Sequence, residues 1–425
     1  VIDLRWLRES PEEARAALAR RRHPGIGDLL ETALALDGRR RELLQEVERL
    51  RAARNAASAD VGRLKQRGED PTDRLGRLKE LSEAIKQRDQ ELREVEHRLN
   101  DALLQIPNPP LADVPDGDAA ANQVLRSWGS PRTFPFTPRP HWELGERLGI
   151  LDLPRGAKLA GSGFPVFTAR GARLVRALIG FMLDLHTREH DYVEIWPPLL
   201  VNRETAQGTG QLPDHERNMY VTEDGFYLIP TAEVPLTNLH RDEILSAGDL
   251  PRAYVAYTPC FRREAGSHGK DTRGLIRVHQ FDKVELVRFA TPETSPAEHA
   301  KLLGHAETVL QRLELPYRVV LLAAGDTGFA SAKTYDLEVW APGVGAWLEA
   351  SSASCFTDFQ ARRANIRYRK SPQAKPEYVH TLNASGVALP RTLIALLENG
   401  QEPDGSVRLP EALVPYYGEE WLRAP

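Results

Sequence analysis

Two heptad seams separated by a four-residue breaker constrain this chain more than any other feature. Leu36, Leu43, Leu50, Ala57 and Leu64 recur every seven residues, and Arg40, Val47, Arg54 and Val61 follow the first four of them by four residues. That spacing is one seam of a coiled coil with two polar intrusions. The run stops at Gly68, Glu69, Asp70 and Pro71, where Asp70 is placed to cap and Pro71 to open a new helix. A second seam follows at Leu78, Ile85, Leu92, Leu99 and Ile106, with Leu81, Arg88, Val95 and Ala102 three residues after the first four. It ends at Pro107, Asn108, Pro109 and Pro110. Two long helices joined by a tight turn are expected to run antiparallel. At a rise of about 1.5 Å per residue each is roughly 50 Å long, so the pair projects as an arm from any compact body. Ahead of it, residues 1–27 form a short lead-in. There Ser10, Pro11, Glu12 and Glu13 spell a helix start, with a capping residue, a first-turn proline and acids at the positive end of the dipole.

The two helices differ in charge. Residues 39–67 carry nine Lys/Arg against four Asp/Glu, whereas residues 69–101 carry seven against ten. A basic helix on a projecting arm suits a phosphate backbone. On charge alone, a solvated coiled coil that pairs its own charges is the simpler account. Residues 107–140 read as a linker, because prolines at 107, 109, 110, 115, 131, 135, 138 and 140 argue against helix at both ends of the run. From His141 the composition becomes globular. The domain reading is therefore residues 1–106 with the arm at about 28–106, a Pro-rich linker over 107–140, and a body over 141–425.

Composition narrows the function. The 425 residues carry a net charge of −4, so nucleic acid would have to meet local basic faces rather than the chain as a whole. Two cysteines, Cys260 and Cys355, exclude a disulfide framework and favour a reducing, cytoplasmic setting. The absence of CxxC and HExxH makes a zinc site unexpected. The stretch VIDLRWLRESPEEARAAL is charged and has no apolar core, so no signal peptide is expected. The stretch LVRALIGFMLDLH is interrupted by Arg176 and Asp184 and is too short to span a bilayer, so no membrane partner is expected.

The most chemically informative stretch is residues 261–285, FRREAGSHGKDTRGLIRVHQFDKVE. Arg262, Arg263 and Glu264 open it. Gly266, Gly269 and Gly274 punctuate a polar middle. Ile276, Val278 and Val284 alternate with Arg277, Gln280 and Lys283 at its end. It reads as strand, flexible loop and returning strand. Arg262 and Arg277 offer planar forks to phosphate, Phe281 a stacking face for a base, and Glu285 a partner for an ammonium group. An ordinary hairpin with solvated arginines would account for a lone FRxE.

The whole stretch resembles motif 2 of the class II aminoacyl-tRNA synthetases, in the form carried by the seryl-tRNA synthetase family. Other segments resemble the same family in order. HWELGERLGILD and GSGFPVF resemble its catalytic entry, and DYVEIWPPLLV resembles motif 1, with Asp191 where the family usually has Gly. Thr231, Ala232 and Glu233 match its TAE segment. Glu349, Ala350, Ser351 and Ser352 match its ExSS segment, followed by Ala353 and Cys355 where Cys and Asn are common. VHTLNASGVALPRTLIALLENGQ resembles motif 3, with Asn383, Ser385 and Gly386 read as a polar turn, Pro390 replacing a small residue, and Arg391 near a helix start. The arm resembles the one with which the family grips the long variable arm of its tRNA.

The resemblance implies an α+β fold: a class II antiparallel β-sheet flanked by helices, carrying an N-terminal antiparallel coiled-coil arm. It implies a homodimer built through motif 1, and a ligase that attaches L-serine to tRNA(Ser), and to tRNA(Sec) where that tRNA exists, through seryl-adenylate. It implies ATP with Mg²⁺ held by Glu349 and Ser352. ATP would be bound by Arg262, Arg263, Glu264, Arg277, Val278, Phe281, Glu349, Ala350, Ser351, Ser352 and Arg391, with Arg262 on the α-phosphate and Arg391 on the γ-phosphate. Serine would be lined by Thr231, Ala232, Glu233, Glu285 and Ser385. Two other readings stand beside it. One is an amino-acid-activating paralogue that loads a carrier protein, although such relatives lack the long arm. The other is a non-catalytic RNA-binding paralogue, which would be expected to have lost one of Arg262, Glu285, Glu349 or Arg391.

Overall fold

A computed structural model of the chain describes residues 1–265 and 273–424. It divides into two compact units, Val1–Pro107 and Asn108–Pro425. The first unit begins with two short helices, Leu4–Glu9 (α1) and Pro11–Ala19 (α2). Pro11, Glu12 and Glu13 occupy the first turn of α2 as expected, but the Ser10 hydroxyl caps nothing. Two long helices follow, Ile26–Gln66 (α3, 41 residues) and Thr72–Leu104 (α4, 33 residues). Between them Gly68 takes φ +72° and Asp70 Oδ1 accepts from the Thr72 amide (3.0 Å) and hydroxyl (2.6 Å). Pro71 precedes the helix and Thr72 opens it.

The seam buries Leu43, Val47 and Val61 of α3 and Leu81, Ile85, Val95 and Leu99 of α4. Ion pairs cross it from Arg39 to Glu91 (2.5 Å), Arg51 to Asp89 (3.1 Å) and Arg88 to Glu46 (2.9 Å). Early α3 thus meets late α4, which makes the pair antiparallel. The polar intrusion at Arg88 is explained by its lateral reach to Glu46. Among the described residues, Arg41, Arg49, Arg54 and Lys65 of α3, and Arg67 at its C-cap, are exposed with no acidic partner. Self-pairing therefore absorbs only part of the basic charge.

The second unit is organised on an eight-stranded sheet. Its strands are Gln123–Trp128 (β1), Val193–Glu194 (β2), Arg252–Phe261 (β3), Gln280–Ala290 (β4), Tyr317–Leu321 (β5), Lys333–Ala341 (β6), Ala346–Cys355 (β7) and His380–Ala388 (β8). The spatial order is β1-β5-β6-β7-β8-β4-β3-β2. All neighbours pair antiparallel except β2 with β3. The flanking helices are His141–Arg147 (α5), Arg170–Arg188 (α6), Glu233–Asn238 (α7), Ser295–Arg312 (α8), Phe359–Ala364 (α9) and Leu389–Asn399 (α10). The amphipathic stripes of α6, α8 and α10 bury Leu178, Phe181, Leu302, Leu310, Leu393 and Leu397 with Val255, Leu286, Val319 and Leu337 of the sheet.

Three local expectations are corrected. The run 107–140 is not a bare tether: its proline-free middle, QVLRSW, supplies β1 at the sheet edge beside β5. The motif 1 strand is only two residues long, because Pro197 and Pro198 bring no amide hydrogens to a ladder. Asp191 just before it takes φ +58°, a conformation suited to the Gly usual at that place. Asn383 and Ser385 lie in β8, paired with Val287 and Glu285 of β4, not in a turn. Their polarity belongs to a paired strand, not to a chain reversal.

One buried carboxyl ties the site-bearing elements together. Glu398, at the end of α10, is fully buried and accepts from the His141 amide and Nδ1 (both 2.9 Å) through Oε1. Its Oε2 accepts from the amides of Gly343 (2.8 Å) and Val344 (3.0 Å) in the β6–β7 turn. His141 Nε2 accepts from the Leu275 amide (2.9 Å), which places the ring proton on Nδ1 toward Glu398. Glu398→Ala leaves four donors without an acceptor in the interior and is expected to cost about 3 kcal/mol or more. Urea denaturation measures this, and a loss below about 1 kcal/mol would show that the network is dispensable.

Candidate active site

The site is built on the β3–β4 hairpin, whose ladder runs in register from Arg252 opposite Phe289 to Phe261 opposite Gln280. Beyond the ladder, the Arg262 amide donates to the His279 carbonyl at 2.8 Å, so the backbone stays paired up to the side chains that matter. The expected returning strand from Ile276 begins only at Gln280. Gly274, at φ +68°, packs against His141 and opens a turn, and Arg277 and Val278 lie in the irregular stretch between that turn and β4. Gly266 and Gly269, expected in the flexible loop, lie outside the described residues. Glu264 has φ +48°, uncommon for a residue with a Cβ. In that conformation its Oε2 accepts from Arg277 Nη1 at 2.6 Å.

A single cavity gathers side chains from four distant segments. Arg262, Glu264, Arg277, Val278, Phe281 and Lys283 come from the hairpin, Glu349 and Ala350 from β7, Ser385 from β8, and Arg391 from α10. The Arg262 guanidinium lies 5.0 Å from the Phe281 ring centroid, and its Nε donates to the Pro230 carbonyl at 3.3 Å. Arg391 stands in the first turn of α10, where the helix dipole disfavours a cation. Glu349 compensates: Arg391 Nη1 donates to its carbonyl at 2.7 Å and lies 3.3 Å from its Oε2. Arg391, the Ser352 hydroxyl and Arg262 together hold the half-exposed Glu349 carboxyl below the usual range.

The Ser352 hydroxyl lies 2.5 Å from Asp336 Oδ1 and 3.1 Å from Glu349 Oε1. Asp336, opposite Ser352 in the β6–β7 ladder, is pushed well above the ordinary carboxyl range by burial and by the nearby Glu349 charge. Glu349 and Ser352 thus present hard oxygen donors on one strand face, a donor set that fits Mg²⁺ better than a soft metal. Among the described residues no group of three or more His, Cys, Asp and Glu forms a metal cage.

Beside this cavity lies a second, more deeply buried group. Glu285 is fully buried, with Oε1 accepting from Asn383 Nδ2 at 2.9 Å and Oε2 ion-paired to Lys283 Nζ. Burial raises its carboxyl pKa while Lys283 opposes the rise. Glu233, at the start of α7, accepts from Gln360 Nε2 at 2.6 Å, and its amide donates to Thr231 Oγ1 at 3.2 Å. Burial, with the Glu285 charge second, pushes Glu233 up to about 7.

The sequence-derived residues therefore divide. Arg262, Glu264, Arg277, Val278, Phe281, Glu349, Ala350, Ser385 and Arg391 line the cavity. Thr231, Glu233 and Glu285 form the buried group beside it. Ser352 sits behind Glu349, and Ala232 is fully buried at the entry to α7. Arg263 is exposed, its amide bound to the Asn218 carbonyl (2.9 Å). Ser351 spends its hydroxyl on the Ser385 carbonyl (2.6 Å), locking β7 to β8. Sequence reasoning missed Lys283, Asp336 and Gln360 as site residues. Strand alternation, which puts Lys283 on the face of Glu285, was the signal for the first. Gln360 left no local signal.

Comparisons with known proteins extend over nearly the whole chain. Residues 219–400 match the tRNA synthetase class II core domain (G, H, P, S and T), and residues 1–110 match the seryl-tRNA synthetase N-terminal domain. The chain is 56% identical over 422 residues to a serine–tRNA ligase of Gemmatimonas aurantiaca, covering 99% of each. It is also 56% identical to that of Geobacillus kaustophilus, covering 98% of this chain and 99% of the relative. Its structure superposes on seryl-tRNA synthetase from Pyrococcus horikoshii, solved with ATP, at a TM-score of 0.95 with 38% identity and full coverage of both chains. For the cytoplasmic serine–tRNA ligase of Naegleria fowleri, solved with AMP, the TM-score is 0.88 at 28% identity, covering 100% of this chain and 99% of that one.

The raised carboxyl of Glu233 is a stability penalty with a defined pH window. In the unfolded chain it ionises near 4.5, in the folded chain near 7, so stability falls as pH rises between these values. The penalty is at most on the order of 3 kcal/mol. Glu233→Gln is expected to raise the melting temperature at pH 8, with the gain fading by pH 5. Melting curves at both pH values check this, and a gain confined to pH 5 would contradict it.

Proposed function

The chain belongs to the seryl-tRNA synthetase family and attaches serine to tRNA, and from that premise we propose how its own residues do so. The observation that carries the reading is the convergence of Arg262, Glu264, Arg277, Phe281, Glu349 and Arg391 on one cavity, next to the buried Glu233–Glu285 pair. In the first step a serine carboxylate oxygen attacks the α-phosphorus of ATP. The bond between that phosphorus and the bridging oxygen breaks, giving seryl-adenylate and pyrophosphate. In the second step the terminal ribose hydroxyl of tRNA attacks the seryl carbonyl, and AMP leaves. Neither step needs a side-chain nucleophile; positioning and charge neutralisation supply most of the rate.

Arg262 holds the α-phosphate, Arg391 the γ-phosphate, and Arg277 assists on pyrophosphate. Arg391 and Arg277 then exchange their carboxylate partners Glu349 and Glu264 for phosphate oxygens. Glu264, once released, accepts from the adenine amino group while Phe281 stacks on its ring. Val278 and Ala350 supply apolar contact. Glu349 and Ser352 would hold Mg²⁺ entering with ATP, and the ion would supply positive charge against the phosphate oxygens. Thr231, Glu233 and the local backbone receive the serine ammonium, and Glu285 with Ser385 receives the hydroxyl. Alanine is disfavoured because it brings no hydroxyl to donate to the buried Glu285 carboxylate. Threonine is rejected by lack of room.

The exposed cations Arg41, Arg49, Arg54 and Lys65 of α3, and Arg67 at its C-cap, support the arm as the grip on tRNA(Ser), and on tRNA(Sec) where present. The presence of the arm disfavours a carrier-protein acceptor. Trp196, Val193 and Leu200 are 80%, 57% and 48% exposed beside the edge strand β2, which supports a homodimer through that face. Among the described residues no helix is long and apolar enough to cross a membrane. We assign the enzyme to the cytoplasm on its two free, buried cysteines and on its kinship.

Serine-dependent pyrophosphate–ATP exchange, followed by charging of unfractionated tRNA, tests the reading directly. Glu285→Gln is expected to reduce serine-dependent exchange by about a hundredfold, since a charge-assisted hydrogen bond is replaced in a buried pocket. Near-normal exchange by the folded variant removes Glu285 from the serine site. Deleting residues 35–100 is expected to leave exchange intact and abolish charging. Charging that survives the deletion shows that tRNA is gripped elsewhere.

A further inference from the structure

Resting on the serine reading above, we propose that Gln360, which does not line the cavity, is a positioning residue for serine recognition: it aims the Glu233 carboxylate at the ligand ammonium group. Gln360 lies on α9 and is fully buried. Its Nε2 donates to Glu233 Oε1 (2.6 Å) and to the Thr209 carbonyl (3.1 Å), and its Oε1 accepts from Thr381 Oγ1 (2.7 Å) on β8. This set fixes the amide orientation. A flipped amide would turn its oxygen toward a carboxylate and a carbonyl, neither of which can donate in its ionised or ordinary form.

The helix that carries Gln360 is itself anchored. Arg363, one turn on, donates through Nη1 to the carbonyls of Gln207 (3.2 Å) and Leu212 (3.0 Å), the same segment that Thr209 belongs to. The amide therefore joins three otherwise separate pieces: the 207–212 segment, the start of α7 and strand β8. A buried amide is retained at low cost only when its donors and acceptor are all met, and here they are. One Glu233 oxygen is taken by Gln360, leaving the other for an ammonium group. The donor also favours the ionised carboxylate against burial and against Glu285, and an ammonium group needs the ionised form.

The test is serine-dependent pyrophosphate–ATP exchange as a function of pH on the full-length chain, for wild type, Q360L, Q360E and the double variant E233Q/Q360L. Removing the donor is expected to raise the KM for serine about tenfold at pH 7 and move the acid limb of its kcat/KM upward by about one pH unit. The KM for ATP should stay within about twofold, and in the E233Q background Q360L should add nothing further. Q360E, which offers an acceptor where a donor is needed, should be at least as impaired for serine. Thermal melts establish that each variant is folded. An acid limb in folded Q360L that coincides with wild type overturns the proposal, as does a parallel rise in both KM values. Failure of both single variants to fold overturns it too, because Gln360 would then be structural support. A wild-type enzyme whose exchange does not respond to serine defeats the serine reading itself instead.

Discussion

Charge neutralisation in a confined space is the constraint on which this architecture depends. Glu233 lies within reach of the Glu285 charge and Asp336 within reach of the Glu349 charge, and burial raises the pKa of Glu233, Glu285 and Asp336. Such a cluster stands only because Arg262, Lys283 and Arg391 are held against it. Arg262 acts on three of the four acids at once. The hairpin, the central strands and α10 are arranged so that these cations arrive from different directions.

The same balance holds at the proposed triphosphate site. Arg391 rests on Glu349 and Arg277 on Glu264, so each guanidinium has an internal anion. Surface-accessible pairs of this kind contribute little to stability and are easily exchanged for a phosphate. Glu285 differs. Its carboxylate is clamped between Asn383 and Lys283 in the interior, where breaking a pair is costly, so it serves as a fixed gauge and not an exchangeable partner. Under the proposed assignment, exchangeable contacts sit on the nucleotide side and rigid ones on the amino-acid side, where one methyl or one hydroxyl has to be told apart.

Much of this was legible one-dimensionally, and the misses are instructive. The arm was readable because seven-residue periodicity and a Gly–Asp–Pro breaker are local signals. The strand at 123–128 was hidden by flanking prolines, which mark helix boundaries but say nothing about the six residues between them. Asn383 and Ser385 read as a turn from sequence because polar residues within a strand look locally like a loop. Gln360 was invisible because its importance rests on Thr209, Glu233 and Thr381, far away along the chain.

By itself the sequence determined the long helices of the arm, their antiparallel turn and the inventory of arginines and carboxylates, since these follow from periodicity, capping and residue chemistry within a few turns of chain. It also carried the motifs that mark the family. Only the tertiary structure decided which carboxylates share a pocket, which ionise, and which side chains merely hold others in place. Those properties depend on distances between residues far apart in sequence and on the exclusion of water between them, neither of which any local pattern encodes.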